Sequence, residues 1–167
     1  MKISAKKIAY LGMLLIIALS FGYVERVLPT LTPFAGVRIG LANAVILVAL
    51  YVWDAKTALV LNVLRVALSG LLFSGVTGAL YALCGATTSF AVILITKRSR
   101  IFGIVGVSAA GGAFHNLGQL ACAAIVTQTP AVMSLLPLLT LLGIASGVIV
   151  GIVAGLCINR LPGAVAR

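Results

Sequence analysis

The sequence predicts an all-α integral membrane protein of six transmembrane helices with both termini in the cytoplasm. Three observations carry that prediction. Of 167 residues, 62% are hydrophobic and 8% charged, with a mean hydropathy of +1.26, whereas a soluble domain usually has about a quarter of its residues charged. Apolar runs near the roughly 20 residues that cross a bilayer recur along the whole chain, and the basic residues collect in alternate breaks between them. A small soluble domain must leave much of its surface exposed, so a soluble enzyme, a nucleic-acid binder and a disordered tail are all excluded.

The expected spans are 8–27, 35–53, 55–73, 78–96, 101–126 and 131–158, in a single transmembrane domain. Pro29-Thr30-Leu31-Thr32-Pro33 ends the first, because proline removes a backbone donor and cannot continue a helix. Asp54 and Lys56 mark a tight second turn, and Ser74-Gly75-Val76-Thr77-Gly78 reads as a glycine turn. Lys97-Arg98-Ser99-Arg100 is a charged break, and Thr127-Gln128-Thr129-Pro130 opens the last span. Met1 to Lys7 before an apolar run is signal-like. However, the run is long and no small-x-small cleavage site follows it, so an uncleaved first helix is expected.

Six spans put Lys2, Lys6, Lys7, Lys56, Lys97, Arg98, Arg100, Arg160 and Arg167 on one side, nine of the twelve basic residues. Arg26 and Arg38 fall on the other side and Arg65 within a span. The positive-inside bias makes the richer side cytoplasmic, so the expected location is a prokaryotic plasma membrane, crossed several times. Lys6 and Lys7 are read as anchors to anionic lipid headgroups.

The acidic residues exclude further chemistry. Glu25 and Asp54 are the two carboxylates of the chain, too few to hold the Mg²⁺ ions of prenyl or phosphoryl transfer. No Gly-rich loop ending in Gly-Lys-Ser/Thr is present, so ATP is not bound through a P-loop. Cys84, Cys122 and Cys157 lie in apolar runs without metal-type spacing and read as packing residues. The expectation is a protein that is not an enzyme and holds neither metal nor cofactor.

Polar groups inside the spans carry the functional signal, because they are costly in lipid and normally face protein or a water-filled cavity. Ser108, Gly111, Gly112, His115, Asn116 and Gln119 fall at i, i+3, i+4, i+7, i+8 and i+11, one helical stripe. Two readings compete for it: close helix packing, or a wall facing a ligand. The third span repeats the pattern with Asn62, Arg65 and Ser69 at i, i+3 and i+7. Arg65 lies too deep to snorkel and wants a partner: Glu25, a negative charge on a substrate, or backbone carbonyls around a cavity. Gly36, Gly40 and Asn43 share a face of the second span, with Arg38 at its outer mouth. These groups gather in the external half, where a cavity lined by Arg, His and amides suits capture of an anionic or strongly polar small molecule. Ala5 and Ala9, like Ala18 and Gly22, form a small-x-x-x-small pair fit for close helix contact.

The segments Val24-Glu25-Arg26-Val27-Leu28-Pro29, Arg38-Ile39-Gly40-Leu41-Ala42-Asn43, Leu64-Arg65 and Ser108-x-Ala110-Gly111-Gly112-x-x-His115-Asn116-x-Gly118-Gln119 resemble the Gx transporter family. That family is also called heptaprenyl diphosphate synthase component I. Arg38 stands where the family more often has Lys, which retains the charge. The family is similar to the S components of energy-coupling factor (ECF) transporters. The resemblance implies a six-helix bundle that captures a vitamin-like molecule near the external face. It also implies docking, through an Ala-x-x-x-Ala motif here at Ala5 and Ala9, on a membrane coupling protein driven by two cytoplasmic ATPases. Glu25, Arg38, Asn43, Asn62, Arg65, Ser69, His115, Asn116 and Gln119 are the expected substrate contacts. The isoprenoid name hints at an isoprenoid or quinone precursor. Two other functions compete with capture: an accessory membrane subunit or scaffold of a polyprenyl diphosphate synthase or redox system, and an autonomous facilitator.

Overall fold

A computed structural model describes residues 5–27 and 40–161, apart from the side chains of Lys6 and Arg26. Arg38, the Pro29–Pro33 break, the start of the second span and the terminal charges Lys2 and Arg167 lie outside the described residues. Every described element is helical: α1 (Ala5–Val27), α2 (Leu41–Val52), α3 (Ala55–Ser69), a π-helical turn (Gly70–Ser74), α4 (Gly75–Ser99), α5 (Ile104–Thr127), a 3₁₀ segment (Pro130–Leu135) and α6 (Leu136–Arg160).

The expectation of six separate spans needs correction. Three described stretches are long and apolar enough to cross a membrane, Lys7–Glu25, Ala55–Ser99 and Pro130–Arg160, while Leu41–Val52 is a shorter apolar helix. The remaining helix, α5, has the length, but the polar residues of its stripe lower its hydropathy. The third and fourth expected spans run together as helix through Gly70–Ser74, with no intervening coil. That run does not stay straight. Asn62 Nδ2 donates to the Ala86 carbonyl at 3.5 Å although 24 residues separate them, a stretch that would cover ~36 Å in a straight helix. The chain therefore folds back at the π-helical turn and Gly75, whose φ of 70° and ψ of 175° fall in a region essentially restricted to glycine. These long apolar helices are compatible with membrane insertion.

The helix ends follow their residues. Asp54 caps α3, accepting from Thr57 N and Thr57 Oγ1 at 2.8 Å each, and Lys7 Nζ donates to its second oxygen at 3.2 Å. These donors, the Thr57 backbone N–H foremost, hold the Asp54 carboxyl down to about 2. Lys97 Nζ donates to the Leu50 carbonyl near the C-terminus of α2 at 2.8 Å, where a cation offsets the helix dipole. Arg100 and Gln128 end α4 and α5 in the left-handed region, and Pro130 opens the 3₁₀ segment.

In the packed bundle α2 is the central helix. From Ala44 to Leu50 all its residues are buried, as expected of a helix apolar all round. It packs against α1, α3 and α6; α4 packs on α3 and α5, and α5 on α6. The seam between α5 and α6 is made by glycine. A Cβ at Gly147 would lie 2.5 Å from the Ser108 carbonyl oxygen, and one at Gly112 would collide with that of Gly143. Such approach of backbones lets helices associate where no solvent drives them together. Outward faces are apolar: Met13 is 60% and Ile16 66% exposed, the surface that lipid would cover.

Candidate functional site

A cavity of about 670 Å³ opens where the last turns of α1, α3 and α5 meet the first turns of α2, α4 and α6. It lies at the end of the bundle opposite the Lys7–Asp54 ion pair. Seven of the nine expected substrate contacts line it: Glu25, Asn43, Arg65, Ser69, His115, Asn116 and Gln119. They come from α1, α2, α3 and α5. Arg38 lies outside the described residues. Asn62 departs from the expectation, because it lines a smaller adjoining cavity instead. Its side chain points from α3 toward α4, where it is buried and bonded to Ala86.

Each polar group is held by its own helix geometry. Glu25, in the last turn of α1, accepts from Leu41 N, the first residue of α2, at 2.6 Å. A carboxylate there satisfies an open backbone donor and meets the positive end of the helix dipole. Gly40 makes this approach possible by turning the chain at φ 79°. Glu25 is also near enough for its charge to act on Arg65. The partner at hydrogen-bond distance from Arg65 is none of those expected. Arg65 Nη2 donates to Asn62 Oδ1 at 3.0 Å, while Arg65 Nε is buried with no hydrogen-bond partner among the described residues.

The α5 stripe divides. Its first half, Ser108, Gly111 and Gly112, packs in helix seams: Ser108 is buried, and Cβ atoms at Gly111 and Gly112 would meet Ile93 and Gly143, with Gly112 also reaching the cavity's edge. Its second half faces the cavity. His115 packs against Gly85, where an added Cβ would come within 3.2 Å of the imidazole Cε1, and shares the cavity wall with Arg65. Gln119 packs over Gly85, where any Cβ would strike it. Asn116 lines the cavity while its Nδ2 donates to the Leu139 carbonyl of α6. The packing and ligand readings of the stripe each describe one half of it.

Sequence reasoning missed part of the lining. Ser74, Tyr81 and Ser146 add hydroxyls, and Leu135, Leu139 and Leu142 give the α6 side an apolar wall. Ser146 sits in Gly143-x-x-Ser146-Gly147, a small-residue pattern that signals a close seam without saying which neighbour faces the cavity. Phe73 of the π-helical turn also lines the cavity and packs on Tyr23 of α1 with ring centroids 5.5 Å apart. Nothing in the local sequence announces that contact, since the two rings meet only after the hairpin folds.

Among the described residues the lining offers one guanidinium, one imidazole, one carboxylate and several amides around a space of ligand size. Among the described residues no three His, Cys, Asp or Glu side chains group to hold a metal ion. Ala5 and Ala9 are exposed at the far end of α1, remote from the cavity.

Searches of curated proteins and of solved structures return no match. The sequence profile of one family, heptaprenyl diphosphate synthase component I, matches residues 14–157. With that match covering most of the chain, the protein belongs to the heptaprenyl diphosphate synthase component I family.

Proposed function

We propose that this chain is a substrate-capture subunit of an ATP-driven importer, an S component of the ECF type, for a small anionic or strongly polar molecule. The observation that supports it most is the convergence of Glu25, Asn43, Arg65, Ser69, His115, Asn116 and Gln119 on one cavity at one end of the bundle. Arg65 is the group for an anionic end of the ligand, since guanidinium binds carboxylate or phosphate with defined geometry. His115, Asn43, Asn116 and Gln119 orient the ligand's polar atoms. In this reading the helices lie in the membrane with both termini inside and the cavity facing out. The inner end holds Lys7, Lys97, Arg98, Arg100 and Arg160, as the positive-inside bias requires. Ala5 and Ala9 then lie at the cytoplasmic end of α1, available to a coupling protein whose ATPases supply the energy. The chain itself is not an enzyme.

A second reading is favoured by the family's description: an accessory membrane subunit of a polyprenyl diphosphate synthase. The two carboxylates of the sequence leave catalysis to a partner in that case. One experiment separates the readings. The chain is purified gently in lipid nanodiscs, and small molecules released on denaturation are identified by mass spectrometry, alongside proteins that copurify. A released anionic molecule that Arg65→Ala no longer retains supports capture. A copurifying soluble synthase with no retained molecule supports the accessory role and sinks the importer reading.

A further inference from the structure

We infer that Asn62 is the positioning residue that aims Arg65 into the cavity, and that it ties anion recognition to the α3–α4 hairpin. The inference deepens the capture reading and rests on it.

Asn62 is 6% exposed and lies outside the main cavity, so it is not placed to touch a ligand there. Its two amide ends face different helices. Oδ1 accepts from Arg65 Nη2 at 3.0 Å, one turn along α3, and Nδ2 donates to the carbonyl of buried Ala86 on α4 at 3.5 Å. Neutral amides provide an acceptor and a donor on one planar group, which is what this bridge needs. An Asp there keeps the acceptor but loses the donor and adds a negative charge beside the guanidinium. A Leu keeps neither.

The bridge matters because Arg65 has few other restraints. Among the described residues its Nε has no hydrogen-bond partner, and the bond to Asn62 is the one hydrogen bond the guanidinium makes. An arginine free to choose among its rotamers must be ordered whenever an anion binds; one already fixed by Asn62 need not be. The start of α4 is packed closely against the end of α3, because Gly70 approaches Ala79 so closely across the hairpin that a Cβ there would overlap it. Movement of α4 relative to α3 would thus reach Arg65 through a single amide.

The test uses the full chain in lipid nanodiscs, with arginine labelled in its guanidinium nitrogens, and sodium benzoate as the anionic probe. In the parent protein, nitrogen NMR shows Arg65 with two resolved Nη signals, the mark of hindered rotation, which shift saturably with benzoate. Asn62→Leu merges the two signals and weakens benzoate binding roughly two- to tenfold, the range set by ordering one long side chain. Asn62→Asp, nearly isosteric, keeps them resolved but abolishes the benzoate response, and it guards against a Leu variant that fails to fold. Two resolved signals that persist in a folded Asn62→Leu variant overturn the inference, even if benzoate binds. Benzoate binding unchanged in Asn62→Asp overturns it as well. Merging in Asn62→Leu, with no anion response in the parent protein, instead removes the capture reading and leaves Asn62 a structural brace.

Discussion

The two halves of α5 carry one continuous stripe of small and polar residues, yet they meet opposite surroundings. Ser108 and Gly111 are closed in helix seams and Gly112 meets Gly143 of α6 at the cavity's edge, whereas the side chains of His115, Asn116 and Gln119 border a cavity of about 670 Å³. Helical period cannot tell them apart, since all six lie on one face. Side-chain volume does. Where the stripe presents glycine, the neighbouring backbone moves in and leaves no space. Where it presents imidazole and amides, the neighbours stand off and the polar groups line the gap. The same division runs through the bundle, with a packed end holding the Lys7–Asp54 ion pair and helix caps and an open end holding the cavity.

The hardest test of that division is Gly112→Leu. Its Cβ would collide with the Gly143 carbonyl, part of a backbone that cannot rotate aside. Overpacking a tight site costs about 1–3 kcal/mol and occasionally more, and a backbone obstacle puts this variant at about 3 kcal/mol or above. A thermal-unfolding midpoint in detergent well below that of the parent is the expected result. An unchanged midpoint means that α5 and α6 are not seamed at this point.

Arg65→Ala probes the open half and should act in the other currency, binding rather than stability. Truncating a charged partner of a desolvated pair typically costs at least about 2 kcal/mol, roughly thirtyfold in affinity. Retained affinity for any anion shown to occupy the cavity would place the recognition elsewhere. The thermal midpoint should stay close to the parent's, because removing Arg65 also removes its buried, unpartnered Nε. Next in size is Gly75→Ala at the tip of the hairpin. No atom of the described residues lies within 4 Å of a Cβ there, so the penalty expected is conformational, about 1–3 kcal/mol for a backbone geometry that alanine avoids. Unfolding midpoints measure it, and a neutral result says that the tip relaxes to another turn.

These positions also mark how far the sequence was legible. The breaks at Asp54, Lys97–Arg100 and Thr127–Pro130 were readable because charge, capping and proline act locally, and the structure ends helices within a few residues of each. The reversal at Ser74–Gly78 was read as a turn, but its π-helical form was not, since backbone hydrogen-bond slippage leaves no residue signature. Convergence of polar groups was legible from their cost in lipid, and it placed seven of the named residues around the cavity. The Asn62 side chain's direction was not legible, because i, i+3 spacing puts it on the same face as Arg65 whether it points to a ligand or to α4. The apolar wall from α6 was equally hidden: in a chain this hydrophobic, a leucine that lines a cavity and one that faces lipid look alike.

The smallest effect expected is at the packed end, from Asp54→Asn. Asparagine still accepts the Thr57 N–H and remains a good cap, so at neutral pH the variant should lose the two bonds to the second carboxylate oxygen, from Thr57 Oγ1 and Lys7, about 1 kcal/mol for exposed contacts. The pH dependence is more telling. The folded Asp54 carboxyl sits at about 2, below the roughly 3.9 of an unfolded chain. Its charge-dependent stabilisation is therefore fully present above about pH 4 and fades as pH falls toward 2. The neutral asparagine has no such titration, so the gap between parent and variant midpoints should narrow across that interval. Parallel curves would mean the charge at this cap adds nothing. Binding at the cavity should not respond to the substitution. If it does, the ion pair between α1 and the start of α3 is coupled to Glu25 and Arg65 at the other ends of the same two helices, and the bundle's two ends work as one device.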